Sequence, residues 1–274
     1  MQTHRSSPQY AHPPIHPHPH SHTHAFIRVI THTDIHSNLR RFLFILSLPS
    51  RLLVRDGCSA LFHRSLWDAV PGGYPVATLF GYEDWAFWID AQQRLKGGIR
   101  PCTIHEELFH YRIRPQSMHQ SLLSYQEYSI ASLRMLHPNL YPSELMIAAH
   151  DRFLGLSGVG AGVPTKVKQT LEAKAATFPW HPTIQTMRGL LLEGKGRLEE
   201  AMAAYQTAAH LADAEDWQGR WRLALVQQRL GMVEEGNRTL SALVNEFEGV
   251  GELYRNYLLL SNERGIVRGP LYLQ

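Results

Sequence analysis

The sequence predicts an α/β region followed by an all-α array of paired helices, with a disordered tail in front. Three observations carry this. Short β-type and helical runs alternate between Gly57 and Pro115. Beyond residue 165, small and aromatic residues recur with the spacing of stacked helix pairs, about 34 residues per pair. The first 25 residues are a low-complexity stretch rich in histidine and proline, which builds no core. The expected boundaries are a tail over 1–25, an α/β region over 26–118, a helical extension and linker over 119–164, and a helical domain over 165–274.

Composition narrows the partners. With 274 residues, 44% of them hydrophobic, the chain is long and apolar enough to bury real cores. A net charge of +3 is too small to argue for nucleic acid or a membrane surface. Cys58 and Cys102 make no disulfide framework, so a reducing, cytoplasmic setting is expected. The apolar run Phe42–Leu48 falls far short of the ~20 residues that span a bilayer. No transmembrane segment is expected.

Within the tail, His16, His18, His20, His22 and His24 alternate, which in an extended chain puts their imidazoles on one side. Such a comb can chelate zinc, copper or nickel weakly, or it can be plain disordered filler. Phe26–Ile30 reads as a strand, and Leu39–Leu48 is ambiguous between helix and strand. Residues 58–62 read as a buried strand and 63–70 as a short helix, broken by Pro71-Gly72-Gly73. Glu83 and Asp84 then open a helix whose Trp85, Trp88, Ile89 and Leu95 share one face, ending at Gly97-Gly98. Residues 108–113 read as a strand closed by Pro115. Two helices follow, over 119–136 and 142–154, separated by His137-Pro138-Asn139. The glycine-rich run 155–164 reads as a linker.

Three phrases carry a resemblance: SALFHRSLWDAV (59–70), GYEDWAFWIDAQQR (81–94) and ELFHYRIRPQSM (107–118). In this order and spacing they resemble the acceptor-side half of family-two glycosyltransferases of the GT-A fold, over residues 57–119. The later pattern resembles tetratricopeptide repeats. Gly189, Gly196, Ala201, Tyr205 and Ala208 fall on packing positions, and Ala224, Gly231, Gly236, Leu240 and Leu243 repeat them. GRLEEAMAAY (196–205) is the best match. Gln185 stands where those repeats carry an aromatic residue.

The resemblance implies inverting transfer of a sugar from a nucleotide-sugar donor to a hydroxyl on a saccharide or lipid-linked acceptor. A lipid-linked acceptor would place the protein at the inner membrane surface. Such transfer needs a carboxylate to take the hydroxyl proton as the oxygen attacks the anomeric carbon. By resemblance Asp84 is that base, Glu83 supports it, and Trp85 walls the acceptor. From spacing alone Asp84 reads first as a helix cap, the resemblance favours the base, and the two roles are compatible. Arg112, Arg114 and Ser117 would approach the donor diphosphate. Arg114 replaces a histidine common in the family, and arginine holds phosphate but ligates no metal. His110 and His119 complete this polar group, and His110 reads as a structural histidine or a ligand.

A complete family enzyme also carries a nucleotide-binding half whose Asp-x-Asp motif holds manganese or magnesium. No ligand motif of that kind appears in this sequence; upstream of residue 57, where it is expected, Asp34 and Asp56 stand alone. The expectation is a piece of such an enzyme, of doubtful activity without that half. Two other readings stand beside it: a non-catalytic interaction module binding a protein partner through 165–274, and a histidine-rich metal binder.

Overall fold

The computed structural model describes residues 24–25, 28–31, 60–62, 64–95, 100–103, 109–110, 123–156, 162–212, 216–247 and 249–263. The expected tail lies outside these apart from His24 and Ala25, as does the ambiguous segment at Leu39–Leu48.

Five strands of two to four residues precede the helical body. They are β1 (His24–Ala25), β2 (Arg28–Thr31), β3 (Ala60–Phe62), β4 (Arg100–Thr103) and β5 (Phe109–His110). β2 is central in a three-stranded sheet, parallel to β3 and antiparallel to β4, with Val29 opposite Leu61 and Cys102. β1 and β5 form a separate antiparallel pair.

This corrects the α/β expectation. Among the described residues, helix dominates, and no GT-A half domain of helices layered on a parallel sheet is present. The reason lies in how the acidic helix packs. α1 spans Arg64–Asp68 and α2 spans Glu83–Arg94. One face of α2 sets Phe87 and Ala91 against Leu66 and Val70, with Phe62 and Trp67 at the margin. The opposite face sets Ala86 and Ile89 against Leu133, with Leu136 and Leu140 alongside. A helix apolar on two sides is held between other elements rather than laid on one sheet. Its partner on the second side is α3 (Gln126–Leu136), so this contact is helix on helix.

From Leu123 to Glu263 every described element is helical. After α3 come a 3-10 turn at Pro138–Leu140 and α4 (Ser143–Leu154). Then follow α5 (Thr165–Thr177), α6 (Pro182–Gly194), α7 (Leu198–Leu211), α8 (Gln218–Arg229), α9 (Val233–Glu246) and α10 (Val250–Glu263). α6 with α7 and α8 with α9 are hairpins closed alike: Arg197 N–H bonds Leu192 O and Met232 N–H bonds Gln227 O, around left-handed Gly196 and Gly231. The buried Ala201, Tyr205 and Ala208 of α7 recur 35 positions later as Gly236, Leu240 and Leu243 of α9. Gly189 is required at its place, because a Cβ there would lie 2.4 Å from the Tyr205 ring. Gln185 is buried and donates to Pro179 O at 2.9 Å.

The first helices of these pairs share a face that α4 covers. His150 lies 5.2 Å from the Trp221 ring and bonds Gln218. Gln218 also donates to Met135 O at 2.7 Å, and Trp217 donates to Asn139 Oδ1 at 2.9 Å. Asn256 of α10 donates to Ser143 Oγ at 2.7 Å, and Gly194 packs against the Leu154 backbone. One apolar core therefore runs from Ala77 and Leu79 through Tyr128 and Phe153 to Tyr254. It takes in Leu154 before and Val167 after the glycine-rich run 155–164.

Candidate active site

The head of α2 is approached through an unusual backbone. Phe80, Gly81 and Tyr82 are all left-handed, with φ of 56°, 107° and 66°. For the two aromatic residues this costs roughly 1–2 kcal/mol each, and it persists only where surroundings over-determine it. The surroundings do so. Leu79 N–H donates to Ser132 Oγ at 3.0 Å, the Phe80 ring stacks on Tyr125 at 4.9 Å, and Gln126 donates to the Tyr82 hydroxyl at 2.8 Å. Lys174 Nζ donates to Val76 O at 2.6 Å.

This backbone delivers Glu83 and Asp84 to the first turn of α2. Tyr82 is the N-cap, and its side chain makes no bond to the helix amides. Asp84 Oδ1 instead accepts the Trp85 amide at 2.9 Å, satisfying one of the amides a helix start leaves unpaired. Asp84 is thus not the N-cap, although it does part of a cap's work. Glu83 is exposed and Asp84 is partly buried. Burial raises the Asp84 pKa, the Trp85 amide pulls it back, and the neighbouring Glu83 charge raises it further. A carboxylate partly stripped of water, beside a second carboxylate, is a stronger base than one free in solvent.

Aromatic rings surround the pair. Trp85 meets Tyr82 edge-on at 5.0 Å. Tyr74, about half exposed, packs edge-on against Trp67 and Phe87, both at 5.5 Å. Its hydroxyl pKa is raised by burial and then by Asp84 and Glu83, which places it in the same field. On the far side of α2, His137 Nδ1 lies 3.7 Å from Asp90 Oδ1. Burial and then Arg94 push His137 down to about 4, so it is neutral near pH 7.

The structure thus brings Glu83, Asp84 and Trp85 together. Arg112, Arg114, Ser117 and His119 lie outside the described residues, and of His110 only the backbone, in β5, is described. Tyr74, Tyr82, Gln126, Ser132 and Lys174 were not singled out from sequence. The left-handed Gly81 beside acidic residues was the one local signal.

A divalent metal does not fit the described donors. Glu83 and Asp84 supply two carboxylates, one engaged by its own helix, with the Lys174 ammonium in the field of Glu83. Among the described residues no group of three or more histidine, cysteine, aspartate or glutamate side chains could hold an ion.

In comparisons with known proteins, no family model, no curated protein and no solved structure matches the chain.

Proposed function

We propose that this chain supplies the acceptor-activating side of a sugar-transfer reaction, on a helical frame. Asp84 takes the proton of an acceptor hydroxyl, Glu83 orients that hydroxyl, and Trp85 with Tyr74 gives aromatic faces for the acceptor. The observation that supports this is the delivery of a partly buried, base-strengthened Asp84 by three consecutive left-handed residues. Strain of that kind clusters where geometry serves chemistry. The donor side, with Arg112, Arg114 and Ser117, belongs to the same proposal and rests on the resemblance alone.

The reading keeps a cytoplasmic setting, at the inner membrane surface where the acceptor is lipid-linked. The structure itself establishes that, among the described residues, no helix is long and apolar enough to cross a membrane.

The test is titration calorimetry of the full chain against a panel of nucleotide sugars with and without manganese, followed by transfer assays. Asp84→Asn should lower transfer by roughly 10²–10⁴-fold while circular dichroism stays unchanged. No heat and no transfer with any donor would sink the proposal.

The helix pairs favour a second reading, a module binding a protein through residues 165–274. Because α4 already covers the shared face of α6, α8 and α10, a partner would dock on the outer side, on α7 and α9. Substitutions on those two helices that left binding of a captured partner intact would remove this reading.

A further inference from the structure

Segment 76–82 is held less by its own neighbours than by helices far along the chain. Lys174, on α5, reaches back 98 positions to the Val76 carbonyl. Ser132, on α3, accepts the Leu79 amide across 53 positions and donates its own hydroxyl to Ser129 O at 2.8 Å. Ala77 and Leu79 are fully buried in the same core as Leu171 and Ala175 of α5. A lysine that merely covered apolar surface would extend its ammonium to water. Lys174 instead turns it onto a backbone carbonyl and stays half-buried. Burial pushes its pKa down, and the charge of Glu83 holds it up. A single side chain of the helical body therefore touches the segment and lies in the field of Glu83 at its end.

We propose that Lys174 and Ser132 are positioning residues, through which the helical body holds segment 76–82 and with it the left-handed run 80–82 that aims Glu83 and Asp84. The body is then part of the site's framework, and the acidic pair is correctly aimed only while α3 and α5 are in place. The importance of this aim rests on reading Asp84 as the reacting group, but the coupling can be measured without substrate, so the two ideas fail separately.

The experiment is amide hydrogen exchange by NMR on the full chain. Ser132→Ala should speed exchange of the Leu79 amide at least tenfold. Lys174→Met should do the same for amides 77–86, with those of α6–α9 unchanged. Lys174→Arg, which keeps the cation and its donors, should restore protection to within about threefold. Unchanged exchange over 77–86 in both Ser132→Ala and Lys174→Met would overturn the proposal. So would acceleration spread equally over α6–α9.

Discussion

Glu193 in the helix pairs and Asp84 in the acidic head are both carboxylates withdrawn from water, and they are treated in opposite ways. Glu193 accepts from Arg222 at 2.5 Å, Arg229 at 2.6 Å and the Tyr205 hydroxyl at 2.8 Å, joining α6, α7 and α8. Arg222 is itself fully buried. Its desolvation is outweighed by Glu193 and the neighbouring tyrosines, so its pKa is raised and it stays charged. Asp84 has backbone amides and an adjacent like charge, and its pKa rises. Matched burial locks a frame, whereas unmatched burial leaves a group poised to exchange a proton.

The sharpest way to break the contrast is Glu193→Ala. It leaves Arg222 buried without its partner, and removing one member of such a pair costs about 3–5 kcal/mol. Urea unfolding should show this as a lower midpoint with the slope unchanged. Replacing both as Glu193→Leu with Arg222→Met should cost less than either single change. If Glu193→Ala cost no more than a surface substitution, the network would not be what joins the pairs.

The buried histidines give the next effect. Gln218 donates through its nitrogen to Met135 O, so its oxygen accepts, and His150 carries its proton on Nε2. Burial and then Arg222 depress His150 to about 3, against the Gln218 bond, and His137 falls to about 4. Below the ordinary value of 6.5, the unfolded chain binds protons that the folded chain does not. Stability is therefore complete above pH 6.5 and lost as pH falls toward 3–4. Between pH 7 and 5 His150 accounts for about 2 kcal/mol, and His137, with Asp90 beside it, for no more than that. Melting temperatures across that range should flatten more in His150→Leu than in His137→Leu. His137 has Asp90 at 3.7 Å to meet its proton, while His150 faces Trp221 and the Arg222 charge.

What the sequence could reveal follows the range of its signals. The helix pairs were legible because Gly189, Gly196, Tyr205 and their counterparts 35 positions on are local marks of close helix approach. The break at His137-Pro138-Asn139 and the start of α4 were legible from proline. The acidic head was legible as two carboxylates opening a helix, and no further. That α2 is apolar on both sides, at Phe87 and Ala91 and at Ala86 and Ile89, already argued against a sheet, but its flanking strand-like runs pulled the reading toward α/β. Lys174, Ser132 and Gln126 carry no local mark, because their role arises from contacts 44 to 98 positions away. Nor does any residue of α4 announce that it will cover the array. Ser143, His150 and Leu154 fit an ordinary amphipathic helix, and only the fold puts them against Asn256, Trp221 and Gly194.

The smallest effect tests the other half of the contrast. Because burial and Glu83 raise the Asp84 pKa, its charged form is disfavoured in the folded chain, and any stability it contributes is fully present below the ordinary carboxylate value of 3.8 and lost as pH rises from there through the raised one. Asp84→Asn keeps the side-chain oxygen that accepts the Trp85 amide and removes the charge. At pH 7 it should therefore leave the midpoint of urea unfolding unchanged or raise it, by at most about 1 kcal/mol given how much solvent still screens the group. A loss comparable to that of Glu193→Ala would make Asp84 a structural anchor and dissolve the distinction. A neutral or stabilising change, alongside the loss of any transfer activity, is the signature of a residue kept for its chemistry at some cost to the fold.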